Sequence, residues 1–76
     1  ALAYSSDGTT LAAGFGGRVQ LWDVAGRWLI RTVDGFEQTV TRLAFSPDGK
    51  QLAAGTSDGR AWVWEAATGR RLAVYD

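Results

Sequence analysis

The chain contains the same sequence segment twice. Residues 43–55, LAFSPDGKQLAAG, repeat residues 2–14, LAYSSDGTTLAAG, with nine of thirteen residues identical. Further along, GRVQLWDVAGR at 17–27 corresponds to GRAWVWEAATGR at 59–70. A period of 41 to 43 residues indicates one structural unit used twice. We therefore divide the chain into residues 1–34, a first unit, and 35–76, a connecting loop and a second unit.

Short apolar runs separated by Gly-containing gaps predict an all-β chain. We expect strands at 2–5, 10–15, 18–23 and 28–33, and again at 40–46, 51–56, 60–65 and 72–75. Turns are predicted at Ser-Ser-Asp-Gly (5–8) and Ser-Pro-Asp-Gly (46–49), since Pro presets φ and Gly accepts a positive φ. Each unit is then a four-stranded antiparallel meander. Several strands are apolar on both faces, so the sheets are expected to stack face to face.

Composition narrows the possible functions. The 76 residues carry no formal net charge, so we expect no nucleic-acid partner. Cys and His are both absent, which removes disulfides, thiolate sites, the commonest zinc ligand and the usual general base. We expect no metal and no cofactor. No apolar run approaches the roughly 20 residues of a membrane span and no signal peptide opens the sequence, so we expect no membrane partner and a cytoplasmic location.

An ordered set of short motifs recurs in both units. It comprises the following elements: Leu-Ala-Phe-Ser-Pro-Asp-Gly at 43–49, which includes Asp48 and Gly49, then Leu-Ala-Ala-Gly at 52–55, Ser-Asp-Gly at 57–59, Val-Trp-Glu at 63–65, which includes Trp64, and Thr-Gly at 68–69. The first unit carries the dipeptide Trp22-Asp23 at the position that corresponds to Trp64-Glu65. The sequence resembles the WD-repeat β-propeller family over essentially its whole length. This resemblance implies two propeller blades.

Four positions depart from the pattern of that family. Gly35-Phe36 replaces Gly-His, Ala13 and Ala54 replace Ser or Thr, and Gly16 replaces the Asp of the first repeat. The buried network of Asp, His, Ser and Trp that the resemblance implies is therefore broken. We expect stability to come from apolar packing instead.

Two blades leave two sheet faces uncovered. Because each blade must pack on both faces, the chain is expected to associate with itself head to tail and close a ring. Three chains give six blades and four chains give eight, and we prefer the tetramer. The alternative is that these residues form part of a longer single-chain propeller.

The resemblance implies a non-catalytic scaffold that holds peptides or proteins on one propeller face. That face comprises loops 34–39, 15–18 and 56–60. Its candidate partner-binding residues are Phe15, Arg18, Phe36, Glu37, Asp58 and Arg60. Phe36 either folds over the Trp of an adjacent blade or is an exposed anchor. Arg18 and Arg60 are either solvated strand ends or contacts for an acidic peptide.

Two other functions remain open at this point. The chain could be an assembly fragment with no ligand, a piece of a duplicated repeat array. It could also bind carbohydrate, since an exposed Trp such as Trp28 can stack on sugars. We expect no catalytic residue, because most carboxylates lie in turns, where Asp bonds its own backbone.

Overall fold

The computed structural model describes residues 1–34, 36 and 38–75. The strands in this part of the chain are β1 (Leu2–Tyr4), β2 (Thr10–Phe15), β3 (Arg18–Asp23), β4 (Trp28–Val33), β5 (Val40–Phe45), β6 (Gln51–Thr56), β7 (Ala61–Glu65) and β8 (Arg71–Tyr75). They form two antiparallel four-stranded sheets, ordered β1-β2-β3-β4 and β5-β6-β7-β8. The two predicted meanders are confirmed, and we call them the first and second blade.

Four strands have the predicted bounds, and the other four differ by one residue. Ser5 and Ser46 lie just after β1 and β5 because their hydroxyls join the following turns. The Ser5 hydroxyl accepts the Thr10 N–H and donates to Asp7, at 3.1 and 2.6 Å. Arg60 precedes β7 because its N–H turns toward the Asp58 carboxylate, at 3.3 Å.

The same type of turn occurs three times in the described part of the chain. In each case a Ser or Thr hydroxyl donates to an Asp two residues later, over 2.5 to 2.6 Å. The following Gly has a positive φ of 73° to 87° and donates its N–H to the carbonyl of the hydroxyl residue. The three turns are Ser5 to Gly8, Ser46 to Gly49 and Thr56 to Gly59. The first two turns are equivalent in the two repeats. The third, between β6 and β7, has the same geometry at a different place in the blade.

In the last turn of the first blade, the glycine is not the residue with a positive φ. The positive φ falls on Arg27, at 58°, whereas Gly69 holds the equivalent position of the second blade with a φ of 78°. Gly26 is needed for a different reason. A Cβ at that position would lie 2.4 Å from the Trp28 ring and 2.7 Å from Asp23 Oδ2.

Each blade has two faces, defined by rows of directly paired residues that point to the same side. The front face of the first blade carries Tyr4, Leu11, Trp22 and Leu29, and that of the second carries Phe45, Leu52, Trp64 and Arg71. The back faces carry Ala3, Ala12, Leu21 and Arg31 in the first blade, and Ala44, Ala53, Val63 and Ala73 in the second. The front faces are large and aromatic, and the second blade's back face is small.

The core lies between the back face of the first blade and the front face of the second. Ala12 and Leu21 are buried against a cluster that includes Leu52 and Trp64, and Phe45 packs at its edge. A Cβ on Gly14 would already touch Val40 and Leu43 of β5, at 3.0 and 3.3 Å. This close approach shows why the back face is built from small residues.

Polar contacts join the two blades at both ends of the strands. The Val40 N–H donates to the Gly16 carbonyl at 2.8 Å. At the opposite end the Ser6 hydroxyl donates to the Pro47 carbonyl at 2.7 Å, and the Arg31 guanidinium donates to the Ala67 carbonyl. The part of the chain that the structure describes contains no helix long and apolar enough to cross a membrane.

Candidate functional site

Three loops meet at one edge of the blade pair, which we call the upper edge. They are the β2–β3 turn at 16–17, the link at 34–39 between the blades and the β6–β7 turn at 57–59. Val40, which follows the link, donates its N–H to the Gly16 carbonyl of the first turn at 2.8 Å. The Thr39 carbonyl of the link accepts the Ser57 N–H of the second turn at 2.9 Å. The loops predicted to share a face therefore form one connected surface.

The upper edge exposes the aromatic ring of Phe15 and several polar side chains. Phe15 is 51% exposed, and Arg18 is exposed beside it at the start of β3. Arg60 lies 3.8 Å from Asp58, in an ion pair that stays partly open to solvent. An exposed ion pair of this kind contributes little to stability. Glu37 lies outside the described residues.

Phe36 packs between the blades instead of standing out as an anchor. Its ring meets Trp62 edge-on, with centroids 5.2 Å apart, and Trp64 at a tilt, at 5.7 Å. Its carbonyl oxygen would lie 2.3 Å from a Cβ on Gly17, so backbone also closes over the neighbouring turn. Of the two sequence-based alternatives, the structure shows the packed one.

The buried indole of Trp64 lacks a hydrogen-bond partner among the described residues. This residue is only 2% exposed. The neighbouring Trp62 instead donates its N–H to the Thr56 hydroxyl, at 3.3 Å, while Arg71 lies over its ring, 5.9 Å from the centroid. A cavity of about 220 Å³ remains beside Phe36 and both Trp rings. It is smaller than the roughly 300–1,000 Å³ of ordinary ligand pockets.

The turn carboxylates are engaged by their own turns. A hydrogen bond from Ser5, followed by bonds from Thr9, lowers the pKa of Asp7 from 3.8 to about 2. Bonds from Ser46 and Thr56 likewise lower the pKa values of Asp48 and Asp58. A general acid needs a carboxyl whose pKa is raised toward neutrality. These three groups are therefore suited to holding turns and not to proton transfer near neutral pH.

The remaining signature residues are structural. Asp23 accepts the Gly26 N–H at 2.7 Å and so closes the turn before β4. Trp22 occupies the first blade's front face and is half-buried, whereas its equivalent Trp64 is buried by the first blade. Gly49 supplies the positive φ of its turn.

Trp28 is 55% exposed at the opposite end of the first blade, far along the strands from the upper edge. Its ring lies directly beside Gly26. No group of three or more Asp or Glu residues within residues 1–34, 36 and 38–75 is arranged to hold a metal ion.

Sequence reasoning missed two contacts at this site. Gly17 allows the Phe36 carbonyl to approach, and Gln38 lies 3.5 Å from the Ser57 hydroxyl. The Gly16-Gly17 pair indicated a turn, but it did not predict that the link before β5 would approach the turn so closely. The pattern could not reveal the Gln38 contact, because it depends on how the link lies over the second blade.

Comparison with known proteins supports the same architecture. The profile of the WD domain, G-beta repeat family (WD40) matches residues 1–23 and 27–65. The chain is 35% identical over 63 residues to Intraflagellar transport protein 122 homolog of Xenopus tropicalis, covering 83% of this chain and 5% of that protein. It is 39% identical over 59 residues to the guanine nucleotide-binding protein subunit beta of Zea mays, covering 75% and 15%.

A solved structure gives the same result in three dimensions. The crystal structure of RRP9 WD40 repeats superimposes with a TM-score of 0.90 and 28% sequence identity, over 97% of this chain and 23% of that chain. The chain thus spans only a small part of the length of these relatives. The residues that match the family profile include the Asp-Gly turns after β1 and β5 and the Trp22 and Trp64 positions. The chain belongs to the WD40 repeat family and forms two blades of its β-propeller fold.

Proposed function

We propose that the chain is a non-catalytic protein-interaction scaffold that presents its upper edge to a peptide or protein segment. The observation that carries this proposal is that backbone hydrogen bonds join three loops from the two blades. Loops held by rigid sheets keep their side chains in place, so a partner loses less affinity to ordering them. Similarity to an intraflagellar transport protein and to a guanine nucleotide-binding protein subunit beta, together with the WD40 family match, supports the same role.

The chemistry of the edge favours an acidic partner with an apolar side chain. Arg18 and Arg60 supply guanidinium donors, and Phe15 supplies an exposed apolar surface beside Arg18. Arg and aromatic residues are the types that most often dominate binding energy at interfaces. Phe36 contributes indirectly, by fixing the link against the second blade.

We also propose that the blade pair works within a ring completed by self-association, with four chains and eight blades preferred over three chains and six. The supporting observation is the exposure of large apolar residues on one outer face, including Tyr4 at 62%. Exposed apolar patches of this kind mark interaction surfaces. A ring would repeat the upper edge and raise avidity for a multivalent partner.

A panel of acidic peptides, neutral variants of the same peptides and glycans tests the scaffold. We expect acidic peptides to bind, and Phe15→Ala and Arg18→Gln to weaken that binding by about tenfold each, as expected for residues central to an interface. Arg70→Gln, an exposed arginine at the opposite end of a blade, is the matched control and leaves binding unchanged. Binding that ignores both upper-edge variants contradicts the proposal.

The exposed indole of Trp28 keeps carbohydrate binding as a second candidate. Glycan binding that is lost in Trp28→Ala and retained in Phe15→Ala would select this candidate. Absence of any binding by intact rings would select the assembly fragment without a ligand.

A further inference from the structure

A small cavity lies between the two blades, against the rings of Phe36, Trp62 and Trp64. Val33, at the end of β4, and Arg71, at the start of β8, also line it. Its volume is about 220 Å³, several times the roughly 30 Å³ that one molecule occupies in liquid water. We infer that this cavity binds a small carboxylate, supplied by a short-chain acid or by an acidic side chain.

The indole of Trp64 gives the cavity a buried hydrogen-bond donor. Trp64 lines the cavity and is 2% exposed, and its Nε1–H has no acceptor among the described residues. A buried N–H without a partner is costly, and a bound water, ion or ligand relieves that cost. Because an indole nitrogen donates and cannot accept, the occupant must present an acceptor atom.

Arg71 adds a positive charge to the same lining. Its guanidinium carbon lies 5.9 Å from the centroid of the Trp62 ring, and it forms no ion pair with the rest of the described chain. Contact with a ring leaves the guanidinium N–H donors free for oxygen acceptors. These donors have the planar geometry that matches the two oxygens of a carboxylate.

A second guanidinium lies beside the cavity wall. Gly69 lines the cavity, and a Cβ on it would be 3.6 Å from Nη1 of Arg31. The Nε of Arg31 is buried and, within residues 1–34, 36 and 38–75, has no acceptor. Among the described lining residues Asp34 is the only carboxylate, and its side chain is exposed. Two guanidinium groups and one carboxylate leave a net positive charge around the cavity, which favours an anion over a neutral acceptor.

The rest of the lining suits a short hydrocarbon chain. Val33 and the rings of Phe36 and Trp62 supply apolar walls, while Trp64 and Arg71 supply the donors. A few placed polar groups on mostly apolar walls are typical of ligand sites. The volume limits the occupant to a molecule of about the size of propionate, which has the shape of the end of a glutamate side chain.

The indole N–H of Trp64 reports on the occupant directly. We propose to follow the four Trp indole ¹H–¹⁵N resonances of the ¹⁵N-labelled chain, assigned through their backbone connectivities, at constant ionic strength. The probes are sodium propionate, propionamide as its neutral counterpart, and tetramethylammonium chloride. We expect propionate to shift the Trp64 resonance downfield to saturation, with a much weaker response to the other two. The resonance of Trp28, exposed at the opposite end of the first blade, should not move.

Matched variants separate Arg71 from general charge. Arg71→Gln should weaken propionate binding about three- to fivefold, the range for an exposed ion pair. Arg70→Gln, at an exposed neighbour that does not line the cavity, should leave it unchanged. Phe15→Ala and Arg18→Gln should also leave it unchanged, so failure of the proposed upper-edge binding is distinguishable from failure of this site.

A short peptide identifies the source of the carboxylate. Acetyl-Gly-Glu-Gly-amide that shifts the Trp64 resonance, when its Gln counterpart does not, indicates an acidic side chain as the occupant. A response to propionate without a response to this peptide indicates a free acid.

Several results would overturn the inference. A Trp64 resonance that neither propionate nor the Glu peptide moves means that the cavity takes no carboxylate. An equal response to propionamide means that charge is not recognised. A response to tetramethylammonium alone means that the rings and Asp34 hold a cation instead. Equal losses in Arg70→Gln and Arg71→Gln mean that only the overall charge of the chain matters.

Discussion

The ring of Phe36 lies edge-on against the ring of Trp62, with planes at 89° and centroids 5.2 Å apart. Positive ring edges favour the negative faces of neighbouring rings, so this arrangement stabilises beyond the apolar area it buries. The link between the blades is thereby fixed to the second blade. The side chain that replaces the family's His thus supports the upper edge by apolar packing.

Replacing Phe36 should therefore affect stability more than binding. We expect Phe36→Ala to lower the free energy of unfolding by about 2–3 kcal/mol, somewhat below the range for fully buried Phe because this ring is half-buried. Phe15→Ala, at an exposed ring, should cost under about 0.5 kcal/mol. Urea unfolding of both variants measures the difference, and equal losses would contradict the packed role of Phe36.

The left-handed position before β4 offers a stabilising substitution. Arg27 has a φ of 58°, a conformation that costs an L-residue about 1–2 kcal/mol. Glycine avoids this cost but loses more conformational entropy on folding, which offsets part of the gain. Arg27→Gly should therefore raise the free energy of unfolding by about 0.5–1 kcal/mol.

The second blade supplies the reciprocal control. A Cβ on Gly69 would meet its neighbours only at 3.6 Å or more, so Gly69→Ala should lose about 1 kcal/mol through backbone conformation alone. Thermal unfolding of both variants checks the pair. A destabilised Arg27→Gly protein would show that the arginine side chain matters more than its backbone.

The Asp7 turn predicts a specific loss of stability in acid. Because the pKa of Asp7 falls from 3.8 to about 2 on folding, its contribution is complete above about pH 4 and disappears as the pH falls toward 2. Asp48 and Asp58, whose pKa values are also lowered, act in the same direction.

Removal of the principal donor tests this cause. Ser5→Ala should move the pKa of Asp7 back toward 3.8, whereas Ser6→Ala, whose hydroxyl donates to Pro47, should leave it in place. Carboxyl resonances followed by NMR between pH 1.5 and 6 (roughly the titration range of Asp) report both values. An unchanged Asp7 pKa in Ser5→Ala would refute the assignment.

Gly17 permits the link to cross the first turn. A Cβ there would lie 2.3 Å from the Phe36 carbonyl oxygen, a backbone atom that cannot rotate away. We expect Gly17→Ala to cost about 1–3 kcal/mol, the usual range for overpacking. Chemical unfolding measures this loss, and a neutral substitution would mean that the link moves aside freely.

The sequence predicted the sheets well because their signals are local. Gly-containing turns and short apolar runs place every strand within one residue of its observed bounds. The position of Arg27 was not predictable, since Gly26 is the better match for a positive φ and only packing against Trp28 assigns it elsewhere. Local patterns determine strands, while packing within the turn decides which residue takes the left-handed position.

The candidate site was predicted less completely. Resemblance to the family identified the three loops, and the structure brings them together. It did not decide between the two environments of Phe36, because both Trp62 and solvent were compatible with that position in the sequence. The indole N–H of Trp64 has no acceptor among the described residues, a feature that the sequence pattern did not predict.

The native mass of the 76-residue chain at micromolar concentration tests the central claim most directly, because the claim is that each chain's open faces are covered by its copies. Light scattering should give an integral multiple of 8.2 kDa, with four chains preferred over three. The mass should fall on dilution while β-sheet circular dichroism persists. A stable, folded species of 8.2 kDa at every concentration would contradict the account.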